Sequence, residues 1–297
     1  MTRLLGLLLA ALAILGGCGL ASSWGATHGR LRVVAAFYPL EYAVRQIGGP
    51  HVDVAGLTKP GGEPHDVELT PRQVGRVATA DLVVYEAGFQ PAVDAAVRAE
   101  APQTAFDISP AARLDLGAVG AESAGRDPHF WLDPLRYADV GDALAERLAH
   151  LDPAHRVAYE SNARAFRATM TTLDTQFRTG LAHCANLELV TSHAAFGYLG
   201  RRYGLHQDSI TGLDPEAEPD PGTLARISAH VRATGASTVY AETLVSPAVA
   251  ETVARETGAR LAVLDPIEGI TGVSAGRDYP AVMRANLATL RTGQDCP

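Results

Sequence analysis

Apolar residues in this chain come in short unbroken runs, and stretches of helical spacing separate them. Residues 31–37 (LRVVAAF) form the first β-type run. FYPLEYAVRQIGG follows, with apolar positions three and four apart and a glycine stop. The same alternation continues through VDVAGL, DLVVYEA and TAFDIS as strands. LTPRQVGRVATA and PAVDAAVRAEA read as helices, the first capped by Thr70 with Pro71 at its first position. Strands that are apolar throughout and alternate with helices predict a parallel sheet covered on both faces.

Residues 111–128 are a polar Gly/Ala loop that leads into DPHFWLDP, residues 127–134. A helix is expected from Pro134 to about His150. A second is expected to be capped by Asp152, with Pro153 at its first position. It meets no glycine or proline before Gly180. At 1.5 Å per residue it would span roughly 40 Å and act as a rigid connector. The second half repeats the first at an offset of 156 residues. Val34 recurs as Val190, Tyr42 as Tyr198, Gly48 as Gly204, Gly56-Leu57 as Gly212-Leu213, Glu86 as Glu242, and Pro91-Ala92-Val93 as Pro247-Ala248-Val249. With LELVTS, QDSITGL, STVYAE and RLAVLD as its strands, the second half predicts a second lobe like the first. The expected fold is therefore α/β: two similar (βα)4-type lobes with parallel sheets, joined by one long helix. The expected boundaries are a lobe over 31–150, a linking helix over 151–183 and a lobe over 184–297.

Composition adds limits. The chain has 297 residues, 47% hydrophobic and 20% charged, as a globular protein does. A net charge of −8 with no basic run argues against nucleic acid as a partner. The N-terminus, MTRLLGLLLAALAILGGC, has one arginine before a short apolar run and small residues after it. That pattern reads as an export signal over 1–18, followed by a linker over 19–30. Leu15-Gly16-Gly17-Cys18 resembles a bacterial lipobox, which would make Cys18 the lipidated first residue. Ordinary cleavage near residues 21–26 is the alternative. Export leaves Cys184 and Cys296 as an even pair in an oxidising compartment. Bridged, they would close a long loop worth up to about 4–5 kcal/mol on a chain-entropy model; two free thiols are the alternative.

The candidate chemistry lies at loop positions. Sheets of this kind bind ligands beyond the carboxyl ends of their strands. His65 lies in the loop after VDVAGL, His193 follows LELVTS, and Asp265 ends RLAVLD. His129 sits in DPHFWLDP without an adjacent strand. Three imidazoles and a carboxylate suit a tetrahedral zinc ion. Each histidine taken alone reads more readily as a solvated or hydrogen-bonded residue, and Asp265 before a proline as a strand stop. Glu242, at a strand end, is a second candidate carboxylate or a residue that orients a histidine; Asp133 and Asp66 are further orienting or turn candidates. Phe130, Trp131, Phe196 and Tyr198 read as packing.

FYPLEYAV, GGEPHDVELTP, DPHFWLDP, the long helix, TSHAAFGYL and the final LDP together resemble the substrate-binding proteins of zinc and manganese ABC transporters, over about residues 31–290. The resemblance implies two lobes joined by a rigid helix, with the metal in the cleft and His65, His129, His193 and Asp265 as its ligands. A histidine at the third position resembles the zinc binders. The family's frequent His/Asp-rich loop has no counterpart here, because residues 111–128 contain no histidine. The implied function is extracytoplasmic capture of one Zn2+ and its delivery to the membrane permease of an ABC importer. The protein would be a monomer, periplasmic or lipid-anchored, with a metallochaperone as a conceivable donor. Affinity is expected to fall below about pH 6 as the histidines take protons. The alternatives are a manganese-delivering relative and a secreted zinc hydrolase with Glu63 or Asp66 as base. The hydrolase would lack both H-E-x-x-H and a nucleophile elbow.

Overall fold

A computed structural model of the chain describes residues 29–117 and 125–297. The export signal over 1–18, Cys18 and most of the linker over 19–30 lie outside the described residues. Among the described residues no helix is long and apolar enough to cross a membrane.

The first lobe runs β1 (Leu31–Ala35), α1 (Tyr38–Gly48), β2 (Val52–Gly56), α2 (Pro71–Thr79), β3 (Leu82–Tyr85), α3 (Pro91–Glu100), β4 (Ala105–Asp107) and a short α4 (Ser109–Ala112). Its four parallel strands lie in the order β2-β1-β3-β4, with Leu31 opposite Val52 and Val33 opposite Leu82. The central strands Val33 to Ala35 and Leu82 to Val84 are buried, which explains their lack of polar alternation. Thr70 caps α2 in a capping box with Gln73.

Two helices follow, α5 (Pro134–Leu151) and α6 (Arg156–Gly180). Pro153 does not open α6. A 3-10 turn over Pro153–His155 comes first. Asp152 Oδ2 is engaged by His155 Nδ1 at 2.6 Å and by the Tyr159 hydroxyl at 2.8 Å, and the Asp152 side chain makes no cap bond to an amide. α6 has 25 residues, about 37 Å of rod. It packs along α5 where Gly141 permits close approach: a Cβ there would stand 2.6 Å from the Phe166 ring.

The second lobe runs β5 (Glu188–Thr191), α7 (Gly197–Tyr203), β6 (His206–Ser209), α8 (Pro221–Thr234), β7 (Thr238–Ala241), α9 (Ala248–Thr257), β8 (Arg260–Val263) and α10 (Tyr279–Gly293). Its parallel order, β6-β5-β7-β8, is the order of the first sheet shifted by four strands. The repeat in sequence is thus a repeat in topology. α10 turns back onto α6. There Tyr279 meets Tyr137 of α5 with ring centroids 4.7 Å apart. One hydrophobic core runs from β1 through α5 and α6 to Tyr279 and Met283 of α10. The second sheet adds a smaller core of its own around Val190, Ile227, Val239 and Val253. Cys184 and Cys296 are bridged across 112 residues. The bridge lies at the amino end of β5, the opposite edge from His193.

Candidate metal centre

Four side chains from four segments meet between the lobes. His65, His129, His193 and Glu268 each bring one donor atom, and these atoms all lie within 4.8 Å of one another. Glu268 Oε1 stands 3.1 Å from His65 Nε2, 3.0 Å from His129 Nε2 and 3.5 Å from His193 Nε2. The Nε2 atoms of His129 and His193 are 3.3 Å apart. His129, His193 and Glu268 are buried, and the His65 side chain alone keeps some exposure, 13%. An open cleft of about 440 Å³ reaches His65 from outside, between Phe89 and Gly88 of one lobe and Leu213 and Asp214 of the other.

Local structure aims each ring. His65 lies in the loop after β2, where its amide donates to Glu63 Oε1 at 2.9 Å. His129 is fixed by Asp127, which accepts both its amide and its Nδ1, at 2.9 and 2.8 Å. Glu242, at the end of β7, does the same for His193, accepting the amide at 2.9 Å and Nδ1 at 2.5 Å. A neutral imidazole has one N–H. Spending it at Nδ1 on a carboxylate leaves a lone pair on Nε2. Both lone pairs then point at each other and at a carboxylate oxygen. Only a cation resolves that arrangement, either as protons or as a metal ion.

Titration follows the same geometry. Burial pulls the His129 and His193 pKa values down, but Asp127, Glu242 and Glu268 outweigh it and both are raised, His193 well above the usual imidazole value. Burial dominates at His65, whose pKa is lowered. Glu268, despite full burial, is held well below the usual carboxylate range by hydrogen bonds to the three rings. Glu63 is pushed up to about 8, by burial and by the nearby charge of Glu268.

Two sequence expectations need correction. Asp265 is not in the group. Its Oδ1 accepts the Ile267 N–H at 2.8 Å, so its carboxylate serves the turn Asp265-Pro266-Ile267, and the carboxylate that reaches the histidines is Glu268, three residues on. Asp133 does not orient a histidine either. It caps α5, accepting from Leu135 N at 3.0 Å and Arg136 N at 3.4 Å, and faces Arg202. The residue behind His129 is Asp127, at the other end of the same motif. Asp66 lies exposed at the cleft. A glutamate three residues past the final strand stop was the one available signal for Glu268.

The fold and this group define a class: a two-lobed α/β solute-binding protein with three histidines and a carboxylate in its cleft. The chain belongs to the family described as zinc-uptake complex component A, periplasmic (ZnuA), whose profile matches residues 33–293; this is a family of uptake components, not of enzymes. It is 33% identical over 292 residues to the zinc-binding protein AdcA of Streptococcus pyogenes serotype M6, covering 90% of this chain and 57% of AdcA. The chain thus spans little more than half the length of such streptococcal relatives. To the high-affinity zinc uptake system protein ZnuA of Bacillus subtilis it is 30% identical over 296 residues, covering 94% of this chain and 93% of that protein. The crystal structure of the Zn(II)-bound ZnuA-like domain of Streptococcus pneumoniae AdcA aligns with a TM-score of 0.75 at 32% identity, over 90% of this chain and 100% of that domain.

Proposed function

We propose that this protein captures one Zn2+ outside the cytoplasm and delivers it to the permease of an ABC-type importer, with His65, His129, His193 and Glu268 as the ligands. The observation that carries this reading is the convergence of three Nε2 atoms on one carboxylate oxygen in a buried pocket. Nitrogen-rich, four-donor shells suit zinc; manganese prefers more oxygen. Relatives named for zinc binding and zinc uptake support the same cargo.

A closed shell of four protein donors binds tightly and leaves no open position for chemistry. Zinc enters through the cleft at His65, the one ligand with an exposed edge. The continuous core through α5, α6 and α10 resists a wide hinge motion, so release to the permease proceeds by movement of the loop that carries His65, the ligand with an exposed edge. The protein acts as a monomer, anchored on the outer face of the cytoplasmic membrane through Cys18. A metallochaperone is not required by this route.

Metal analysis of protein purified without added metal, followed by zinc–manganese competition, tests the reading. It predicts one zinc per chain that manganese does not displace. Two ions per chain, or a preference for manganese, would refute it.

A further inference from the structure

The turn that delivers Glu268 is unusual. Ile267, immediately before it, has φ of +60°, in the left-handed region that β-branched residues avoid. Ile267 is fully buried, so the conformation is imposed by its surroundings. Four bonds impose it. Asp265 Oδ1 accepts the Ile267 N–H at 2.8 Å. Asn286 of α10 clasps the Asp265 backbone on both sides, accepting its N–H at 3.0 Å and donating to its carbonyl at 2.6 Å. Trp131 Nε1 donates to the Pro266 carbonyl at 2.8 Å. All the residues in this brace are buried.

We propose that Asp265 is a positioning residue that binds no metal. By accepting the Ile267 N–H it locks the left-handed turn and holds the Glu268 carboxylate at the three histidines before metal arrives. Without the brace, Ile267 relaxes toward an extended conformation and the next side chain swings away from the cleft. Glu268 would then have to be reordered with each binding event, and affinity would fall although no donor atom had been removed. This inference rests on Glu268 being a ligand, as proposed above.

Asparagine separates the roles. In Asp265→Asn an amide oxygen still accepts the Ile267 N–H, but the carboxylate charge is gone. In Asp265→Ala the acceptor is gone too. Zinc affinity would be measured for both and for Glu268→Gln by competition with a chelating dye, and coordination read from the visible absorption of the Co2+-loaded proteins. We expect Asp265→Asn to stay within about threefold of wild type, and Asp265→Ala to weaken binding about 10- to 100-fold, the range for residues that orient ligands. The Co2+ bands of Asp265→Ala should lose intensity as water replaces the carboxylate, a change that a mere loss of stability would not cause. Adding Ile267→Gly to Asp265→Ala should recover part of the affinity, because glycine adopts positive φ freely.

Wild-type affinity in Glu268→Gln would overturn the ligand assignment itself. Weak binding in Glu268→Gln together with wild-type binding in Asp265→Ala would overturn only the positioning role. So would Asp265→Asn binding as poorly as Glu268→Gln, and that comparison decides the matter even if Asp265→Ala does not fold.

Discussion

The indole N–H of Trp131 donates to the carbonyl oxygen of Pro266 at 2.8 Å, joining the segment that carries His129 to the segment that carries Glu268. Each partner lies two residues from its ligand. Trp131 also packs against the His129 ring, with centroids 5.2 Å apart. The bond therefore fixes the separation of two donor atoms that come from residues 139 apart in the chain. Trp131→Phe keeps an aromatic ring but loses the donor, leaving a buried carbonyl unpaired. We predict zinc affinity about tenfold lower with the secondary structure intact, checked by dye competition and circular dichroism. Unchanged affinity would show that the two segments hold their spacing without this bond.

Proton competition at the centre should reach higher than the pH 6 expected of ordinary histidines. His129 and His193 have raised pKa values, so without metal they keep protons at pH values where a free imidazole has shed them. Zinc must displace those protons, and apparent affinity therefore falls as pH falls, beginning above neutral imidazole titration. Between pH 7.5 and 5.5 the loss should be about a hundredfold or more. Titrations in buffers of different ionisation enthalpy should show protons released on binding near pH 7. Pronounced flatness across this range would contradict the geometry drawn around Nδ1.

Much of this architecture is legible in the sequence alone. The runs at β1 and β3 are apolar because both sheet faces are covered, and the 156-residue repeat follows from two sheets of one topology. The three histidines stand out because each sits beside turn-forming residues and off any apolar helix face. The carboxylates were less legible for a physical reason. Asp127 and Asp133 flank one motif, and each precedes a proline. Which of them folds back on the His129 ring and which caps α5 depends on the 3-10 turn Phe130–Leu132 between them. Asp265 ends its strand run in the expected place, but a left-handed isoleucine, which no periodicity signals, turns the chain so that Glu268 arrives instead.

Acid stability should depend on Asp174 of α6. Its buried carboxylate accepts from Arg202 Nε at 2.6 Å, from the Tyr203 hydroxyl at 3.2 Å, and from Arg178, tying α6 to α7. Burial would raise its pKa, but these bonds outweigh it and the pKa is lowered. A carboxylate whose folded pKa lies below its unfolded value adds stability above the unfolded pKa and loses it as pH falls through the folded one. Asp174→Asn should lower Tm by about 3–5 °C at pH 7. The gap from wild type should close as pH drops below about 4. A gap that persists at pH 2 would mean that packing, not charge, is responsible.

The Cys184–Cys296 bridge closes 112 residues of chain at the amino end of β5, away from the metal ligands. Cys184→Ser with Cys296→Ser should lower Tm by about 5–10 °C, from the loop entropy released in the unfolded chain. Zinc affinity in the folded protein should stay within about threefold. A large loss of affinity without unfolding would mean that the C-terminal tail is coupled to the cleft.

The central claim is that one zinc ion is held by His65, His129, His193 and Glu268. A crystal structure of the zinc-loaded protein with anomalous differences at the zinc edge tests it directly. The account predicts a single peak about 2.0–2.1 Å from the three Nε2 atoms and about 2.0–2.2 Å from one Glu268 oxygen, with Asp265 still on the Ile267 amide. A peak that takes an Asp265 oxygen in place of Glu268, or one that lies away from His129, would contradict it.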